Sequence, residues 1–343
     1  MGLNIGDIVP RRALEFSELK GKTISIDAYN VIYQFLSTIR QPDGTPLMDT
    51  KKRITSHLSG LFYRNINLLQ EGIKLIYVFD GKPPELKFKT NLKRMEHKQE
   101  AREKYEQAVQ EEDIESMSKY SKQNVHITKE IVEESKSLLE ALGIAVIQAP
   151  SEGESEASYL AKKGKAYAVG SQDYDSLLFQ APRLIQNLTL ARKRKTPSGI
   201  IYISPEIIDL QQVLNTLQID HDQLICLGIL VGTDYNPGGI KGIGQKRALE
   251  IIHRLKEPYL IFKSLEDQIK KQEAEDAGFD WQEIYELFHK PNVQDFEIEF
   301  PKLNESKIKK ILVEEHDFSL ERVNSALDKL KQEKEKKKQQ TLF

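Results

Sequence analysis

Three apolar runs in this chain each end on or beside acidic residues. Thr23-Ile24-Ser25-Ile26 runs into Asp27, and Leu75-Ile76-Tyr77-Val78-Phe79 runs into Asp80. Tyr167-Ala168-Val169-Gly170-Ser171 is followed by Asp173 and Asp175. A carboxylate at the end of a buried strand is costly unless something positive meets it there. In open α/β sheets the carboxyl ends of parallel strands are where ligands bind. Several acids gathered at one such edge repel each other and hold raised pKa values unless cations lie between them. The pattern points to a site for divalent metal ions.

The strand candidates at 22–26, 74–79, 144–148, 166–170 and 183–186 alternate with helical patterns at 28–38, 53–71, 128–142 and 152–163. That alternation predicts an α/β fold with a mostly parallel central sheet and helices on both faces. With 343 residues the chain exceeds one average domain of roughly 150, yet one large α/β core is allowed. We expect a single domain over 1–330, its core formed by blocks 1–100 and 120–255, followed by a charged tail at 331–343. No run of about 18 apolar residues spans a membrane, and the N-terminus lacks a signal-peptide pattern. A single cysteine, Cys226, excludes an internal disulfide or a multi-cysteine zinc site. It reads as a small buried hydrophobe in a cytoplasmic protein.

The net charge of -2 conceals basic clusters at 82–104, 192–195, 241–256 and 329–338, and local patches set the field that a polyanion meets. Residues 82–124 are rich in Lys, Glu, Arg and Gln and read as charged helices. By composition alone a solvated insertion is as good a reading. This stretch leaves the chain directly after Asp80, however, so it would overhang the acidic edge. Arg192 and Lys193 open a basic hairpin tip before Ile200-Ile201-Tyr202-Ile203. Beyond residue 205 the periodicity reads as helical throughout.

Each motif also has an ordinary structural reading. In Pro150-Ser151-Glu152-Gly153-Glu154, Ser151 and Glu154 have capping-box spacing, though Glu152 lies outside the box. Asp173 and Asp175 fit an N-cap and first-turn acid, and Asp234 fits a turn. Asp27 and Asp80 cap nothing obvious. In Gly239-Ile240-Lys241-Gly242-Ile243-Gly244-Gln245-Lys246-Arg247, a Gly-x-Gly turn opens a helix and exposes amides that favour phosphate. Lys241, Lys246 and Arg247 add charge there, and Gly244 is expected at positive φ. Over 225–256 this is similar to a helix-hairpin-helix element, which grips duplex backbone without reading bases. A plain helix connector is the alternative.

Taken in order, these blocks resemble the flap endonucleases. The residues that carry the resemblance are Asp27-Ala28-Tyr29-Asn30 through Tyr33, Thr55 through Arg64, Val78-Phe79-Asp80-Gly81-Lys82-Pro83-Pro84, Ala149 through Ala157, Ser171 through Asp175, and Gly232-Thr233-Asp234-Tyr235 through Arg247. The resemblance implies a 5′-nuclease fold with a helical arch at 82–124, and cleavage of 5′ flaps where single strand meets duplex. By position, Asp27, Asp80, Glu152, Glu154, Asp173, Asp175 and Asp234 would bind two Mg²⁺ ions, with Mn²⁺ able to substitute. Lys87 and Arg94 would contact the scissile phosphate, Tyr33 would stack on a base, and Gly2 would thread near the site. Arg64, Arg192, Lys193, Gly232, Asp234 and the Gly242–Arg247 turn would bind DNA. The family's terminal sliding-clamp peptide closes on an aromatic pair; Gln339, Leu342 and Phe343 match part of it, so clamp docking is expected to be weak, or lost if the tail is truncated.

The expected chemistry is metal-dependent phosphodiester hydrolysis of branched DNA in replication and repair, by a monomer, with two ions about 4 Å apart. A non-catalytic junction binder would not need seven placed acids. A phosphatase or ribonuclease on a similar sheet would leave the arch and the hairpin turn unexplained.

Overall fold

The structure is a computed structural model that describes residues 3–41, 43–87, 125–190, 193–196, 199–275 and 279–340. Its sheet strands are β1 (Arg12–Ala13), β2 (Thr23–Asp27), β3 (Lys74–Phe79), β4 (Ala145–Gln148), β5 (Ala168–Gly170), β6 (Arg183–Gln186) and, after the separate hairpin β7 (Lys193–Thr196) and β8 (Gly199–Tyr202), β9 (Glu206–Asp209). Across the sheet the order is β1-β9-β6-β5-β2-β3-β4. The five strands from β6 to β4 run parallel, and β9 and β1 pair antiparallel at one edge. The chain moves outward from β2 through β3 to β4, then crosses back to place β5 on the other side of β2. That reversal makes a crevice at the carboxyl ends of β2 and β5, the position where such sheets bind ligands.

The helices follow from side-chain periodicity. On one face, Ile24, Ile26, Leu75, Tyr77 and Phe79 pack with α1 (Ala28–Thr38), α2 (Ser56–Gln70) and α3 (Lys129–Ala141). On the other, Ile76, Val78, Ala145 and Ile147 pack against Ala157, Leu160 and Ala161 of α4 (Gly153–Lys162). Alternate residues of β3 therefore feed different cores, which is why the strand reads as an unbroken apolar run. Ser25 faces α4 and is buried, its hydroxyl donating to the Ala157 carbonyl at 2.8 Å. Beyond the one-turn α5 (Asp175–Leu178) and α6 (Leu210–Leu217), the apolar α7 (His221–Val231) is the centre of a second core. Around it lie α8 (Gln245–Leu255), α9 (Pro258–Lys263), α10 (Glu266–Glu275) and α11 (Trp281–His289), while α12 (Glu305–Lys309) and α13 (Leu320–Gln340) return to the first face.

The expectation of helix throughout the region beyond 205 is corrected in two places. Strand β9 is four residues long and takes its partners from β6 and β1, so its own periodicity is too short to read. Residues 291–304 form an extended strap with a proline near each end, where proline disfavours helix. The strap is held from outside: Gln294 N–H donates to the buried Glu156 at 2.9 Å, and Asn304 N–H to the Ala141 carbonyl at 2.8 Å. No helix among the described residues is long and apolar enough to cross a membrane.

A buried polar network ties the C-terminal helices to α2 and α3. Glu134 on α3 accepts from His57 Nε2 and His316 Nε2, each at 3.2 Å, and His316 Nδ1 lies 3.2 Å from Asp49. Burial pushes the His57 pKa down. Glu134→Ala removes the shared acceptor and strands two buried donors, so it should destabilise the fold by about 1–3 kcal/mol. Urea unfolding measures this, and an unchanged midpoint would show that water replaces the carboxylate at no cost.

Candidate active site

Because the strands are parallel, their terminal acids come out on one edge. Asp27 ends β2 and also serves as the N-cap of α1, accepting from Tyr29 N–H at 2.9 Å and Asn30 N–H at 3.2 Å. The expectation that Asp27 caps nothing is therefore corrected: one carboxylate closes the strand and opens the helix. Asp80 follows β3 and accepts from Gly153 N–H, the first residue of α4, at 2.5 Å. A Cβ at Gly153 would lie 2.9 Å from both the Asp80 carboxylate and the Val78 carbonyl, so only glycine allows this approach. The capping-box reading of Ser151 and Glu154 is not realised. Glu152 is the N-cap, Ser151 Oγ donates to the Lys82 carbonyl at 3.1 Å, and Glu154 accepts from Ser176 N–H at 3.1 Å.

Asp173 lies in the loop after β5 and Asp175 opens α5 as a first-turn acid; the N-cap is Tyr174, which corrects the expectation that Asp173 caps this turn. Asn30 Nδ2 donates to Asp173 at 2.7 Å, and Leu3 N–H donates to Asp175 at 3.2 Å. Residue 3 thus lies beside the acids, while Gly2 is outside the described residues. Asp234 follows α7. Between these acids lies Lys87, whose ammonium is hydrogen-bonded to Glu152 and stands 3.3 Å from Asp234. The first residues after Asp80 therefore turn back over the acidic edge, while Arg94 and residues 88–124 lie outside the described residues.

The electrostatics follow from this crowding. Burial first, then the charge of Asp80, pushes the Asp27 pKa up to about 8. Burial with Asp234 and Asp173 pushes Asp175 up to about 8. Asp80 and Glu154 are also raised, burial again leading. Burial opposes the charge on Lys87, but Glu152, Asp234 and Asp80 outweigh it and raise its pKa. The donors are all carboxylate oxygens, the chemistry that suits a hard divalent cation. Among the described residues no three of them already form a closed ligand set.

Tyr235 and Asn30 lie within the blocks that carry the resemblance, yet neither has a role assigned from the sequence. Tyr235 is buried and its hydroxyl donates to Glu152, with burial and that carboxylate raising its pKa. Asn30, one turn after Asp27, reads as a neutral helix residue until β5 brings Asp173 against it.

The remaining residues spread outward from the acids. Tyr33 on α1 is 40% exposed, and Arg64 on α2 is half-buried, which lowers its pKa. Lys193 opens β7 of the basic hairpin, and Arg192 lies outside the described residues. Gly232 ends α7 at φ 116°, where an added Cβ would meet Gly239 N at 2.6 Å. Gly242 has φ 78°, but Gly244 is the N-cap of α8 at φ −92° with open space around it. The expectation of positive φ at Gly244 is corrected, because the left-handed step falls two residues earlier. Lys241, Lys246 and Arg247 are exposed around this turn. Gln339 falls in α13, and Leu342 and Phe343 lie outside the described residues.

A switch-point sheet lined with acids, followed by two helices around a glycine turn, is the architecture of the XPG-type nucleases. The chain matches the XPG N-terminal domain over residues 5–101 and the XPG I-region over 143–234. It is 52% identical to flap endonuclease 1 of Pyrococcus furiosus, over 100% of this chain and 98% of that protein. The solved flap endonuclease-1 from Methanococcus jannaschii superposes with a TM-score of 0.75 at 41% identity, covering 98% of this chain and 100% of that one. The catalytic core of Rad2, at 23% identity and a TM-score of 0.70, covers 96% of this chain and 100% of its own and shares the fold. The chain belongs to the flap endonuclease 1 family. It is a structure-specific flap endonuclease, a hydrolase that cuts DNA in replication and repair.

The raised acids predict a pH dependence. With divalent ions chelated, folded Asp27 and Asp175 keep their protons up to about pH 8, whereas an unfolded Asp releases its proton near about 3.9. The folded state then binds more protons, so stability falls as pH rises from about 4 to about 8. Melting temperatures in EDTA should drop across that window, and the Asp27→Asn/Asp175→Asn variant should flatten the slope. Equal slopes would mean that both acids are already ionised.

Proposed function

We propose that Asp27, Asp80, Glu152, Glu154, Asp173, Asp175 and Asp234 hold two Mg²⁺ ions, with Mn²⁺ able to substitute, and that 5′ flaps are cut at this edge. The observation that carries the reading is the Lys87 ammonium, bonded to Glu152 and facing Asp234 among acids whose burial and repulsion call for positive charge. Ions bound there would polarise the scissile phosphate and lower the pKa of the attacking water. Lys87, with Arg94 from the segment beyond it, would hold charge developing on the transferring phosphate. Exposed Tyr33 would stack on a base freed from its pair, and Gly2 would act at the same site.

Gly244 has no side chain to cover the first-turn amides of α8, and exposed Lys246 and Arg247 flank them. Together with Gly232, Gly242 and Lys241, this turn would grip duplex phosphate by shape. Arg64 and the Arg192–Lys193 hairpin tip would follow the same backbone. The Rad2 core, which shares this fold, was solved with a DNA substrate. The protein would act as a cytoplasmic monomer during maturation of lagging-strand fragments. Gln339, Leu342 and Phe343 would contribute to docking on a sliding clamp.

Asp173→Asn should abolish flap cleavage while leaving flap binding within a few-fold. Lys87→Ala and Arg94→Ala should each lower single-turnover cleavage about a hundred- to thousand-fold, whereas Lys98→Ala should not. Labelled flap, blunt duplex and RNA hairpin, with Mg²⁺ and with EDTA, are the assay set. Full activity of Asp173→Asn would remove the metal-site reading.

The duplex turn has its own test. Gly242→Val puts a β-branched residue at positive φ and should weaken duplex binding. Lys246→Glu should flatten the salt dependence of that binding. Unchanged affinity and slope in both variants would leave the turn as a helix connector.

A further inference from the structure

We infer that Tyr235 is a positioning residue for the cleavage reaction, its hydroxyl fixing the Glu152 carboxylate and its ring seating the Lys87 ammonium. The inference rests on the roles proposed above for Glu152 and Lys87. Glu152 has two oxygens, and both are engaged. Lys87 Nζ donates to Oε1, and the Tyr235 hydroxyl donates to Oε2. One cationic and one neutral donor on opposite oxygens set the plane of the carboxylate, whose terminal torsion is otherwise broad. The same tyrosine meets the cation from another side, because Lys87 Nζ lies over its ring at 5.6 Å from the centroid. A ring face attracts an ammonium without supplying a formal negative charge. It therefore seats Lys87 without adding another carboxylate to a crowded site.

Tyr235 is itself held rigidly. Its N–H donates to Thr233 Oγ1 at 3.1 Å, and Thr233 N–H and Oγ1 donate to Asn236 Oδ1 at 3.1 and 2.8 Å. Asn236 Nδ2 donates to the Ile229 carbonyl at 2.7 Å, which fastens the loop to α7. The ring packs edge-on against Phe288 of α11 at 5.5 Å. All of Thr233, Tyr235 and Asn236 are buried. A side chain locked this firmly transmits position to what it touches, and it touches both Glu152 and Lys87.

Tyr235→Phe keeps the ring and the Phe288 packing and removes the hydroxyl alone. Tyr235→Leu removes the ring as well. In the full-length protein without DNA, Mn²⁺ binding followed by electron paramagnetic resonance should weaken about five- to tenfold in Tyr235→Phe. Its melting temperature and flap binding should stay at wild-type values. Single-turnover cleavage at saturating metal should fall about tenfold in Tyr235→Phe and by a further tenfold or more in Tyr235→Leu. Wild-type Mn²⁺ affinity and cleavage in Tyr235→Phe would overturn the proposal, as would a lowered melting temperature with unchanged metal affinity. Glu152→Gln and Lys87→Ala run alongside. If they lose cleavage while Tyr235→Phe does not, the positioning role alone fails. If both keep full cleavage, the reading of the site fails and this proposal fails with it.

Discussion

Mutual repulsion among carboxylates at the end of a parallel sheet is the constraint around which this molecule is arranged. Parallel pairing forces the ends of β2, β3, β4 and β5 onto one edge, and the sequence places an acid at or just beyond each. Burial first, and the charges of neighbouring acids after it, raise the pKa values of Asp27, Asp175, Asp80 and Glu154. The fold answers with the cation it owns. Lys87 is delivered by the segment that leaves β3, so the strand that supplies Asp80 also supplies its counter-charge.

Three separate parts of the chain must meet for this to work. The segment at 81–87 brings the cation, α4 brings Glu152 and Glu154, and the turn after α7 brings Asp234 and Tyr235. Backbone close approach fixes their spacing: Gly153 lets Asp80 reach the start of α4, and Gly232 lets the turn fold onto Gly239. The turn that carries Asp234 continues into the glycine step and the first turn of α8. The proposed duplex grip and the Asp234–Tyr235 end of the acidic site therefore share one short stretch, residues 232–247.

Much of this was legible in the sequence, for physical reasons. Strands buried on both faces leave long apolar runs, and α1 spans 28–38 as its periodicity predicts. The acids stood out by their shared position after such runs, although each alone has an ordinary structural reading. What escaped was set by contacts distant in sequence. Strand β9 becomes a strand by pairing with β6, and the 291–304 strap is extended because Glu156 and Ala141 hold it. Asn30 and Tyr235 gain meaning only when tertiary packing brings Asp173 and Glu152 against them. Spacing also misled: Ser151 and Glu154 have capping-box periodicity, but both side chains bond elsewhere, and Tyr174 rather than Asp173 is the N-cap of α5.

The hydrogen bonds around the acids show how far the scaffold alone can compensate. Backbone N–H groups of Tyr29, Asn30, Gly153, Ser176 and Leu3 all donate to these carboxylates. Three of those amides sit at the starts of α1 and α4, where the helix dipole adds partial positive charge. Donors of this kind lower a carboxylate's pKa when they dominate. Here they do not dominate: Asp27 accepts two such bonds and its pKa still rises to about 8. Burial and the neighbouring charges win over the amides. The amides have fixed the direction of each carboxylate without neutralising it, so the edge is pre-oriented yet still short of positive charge.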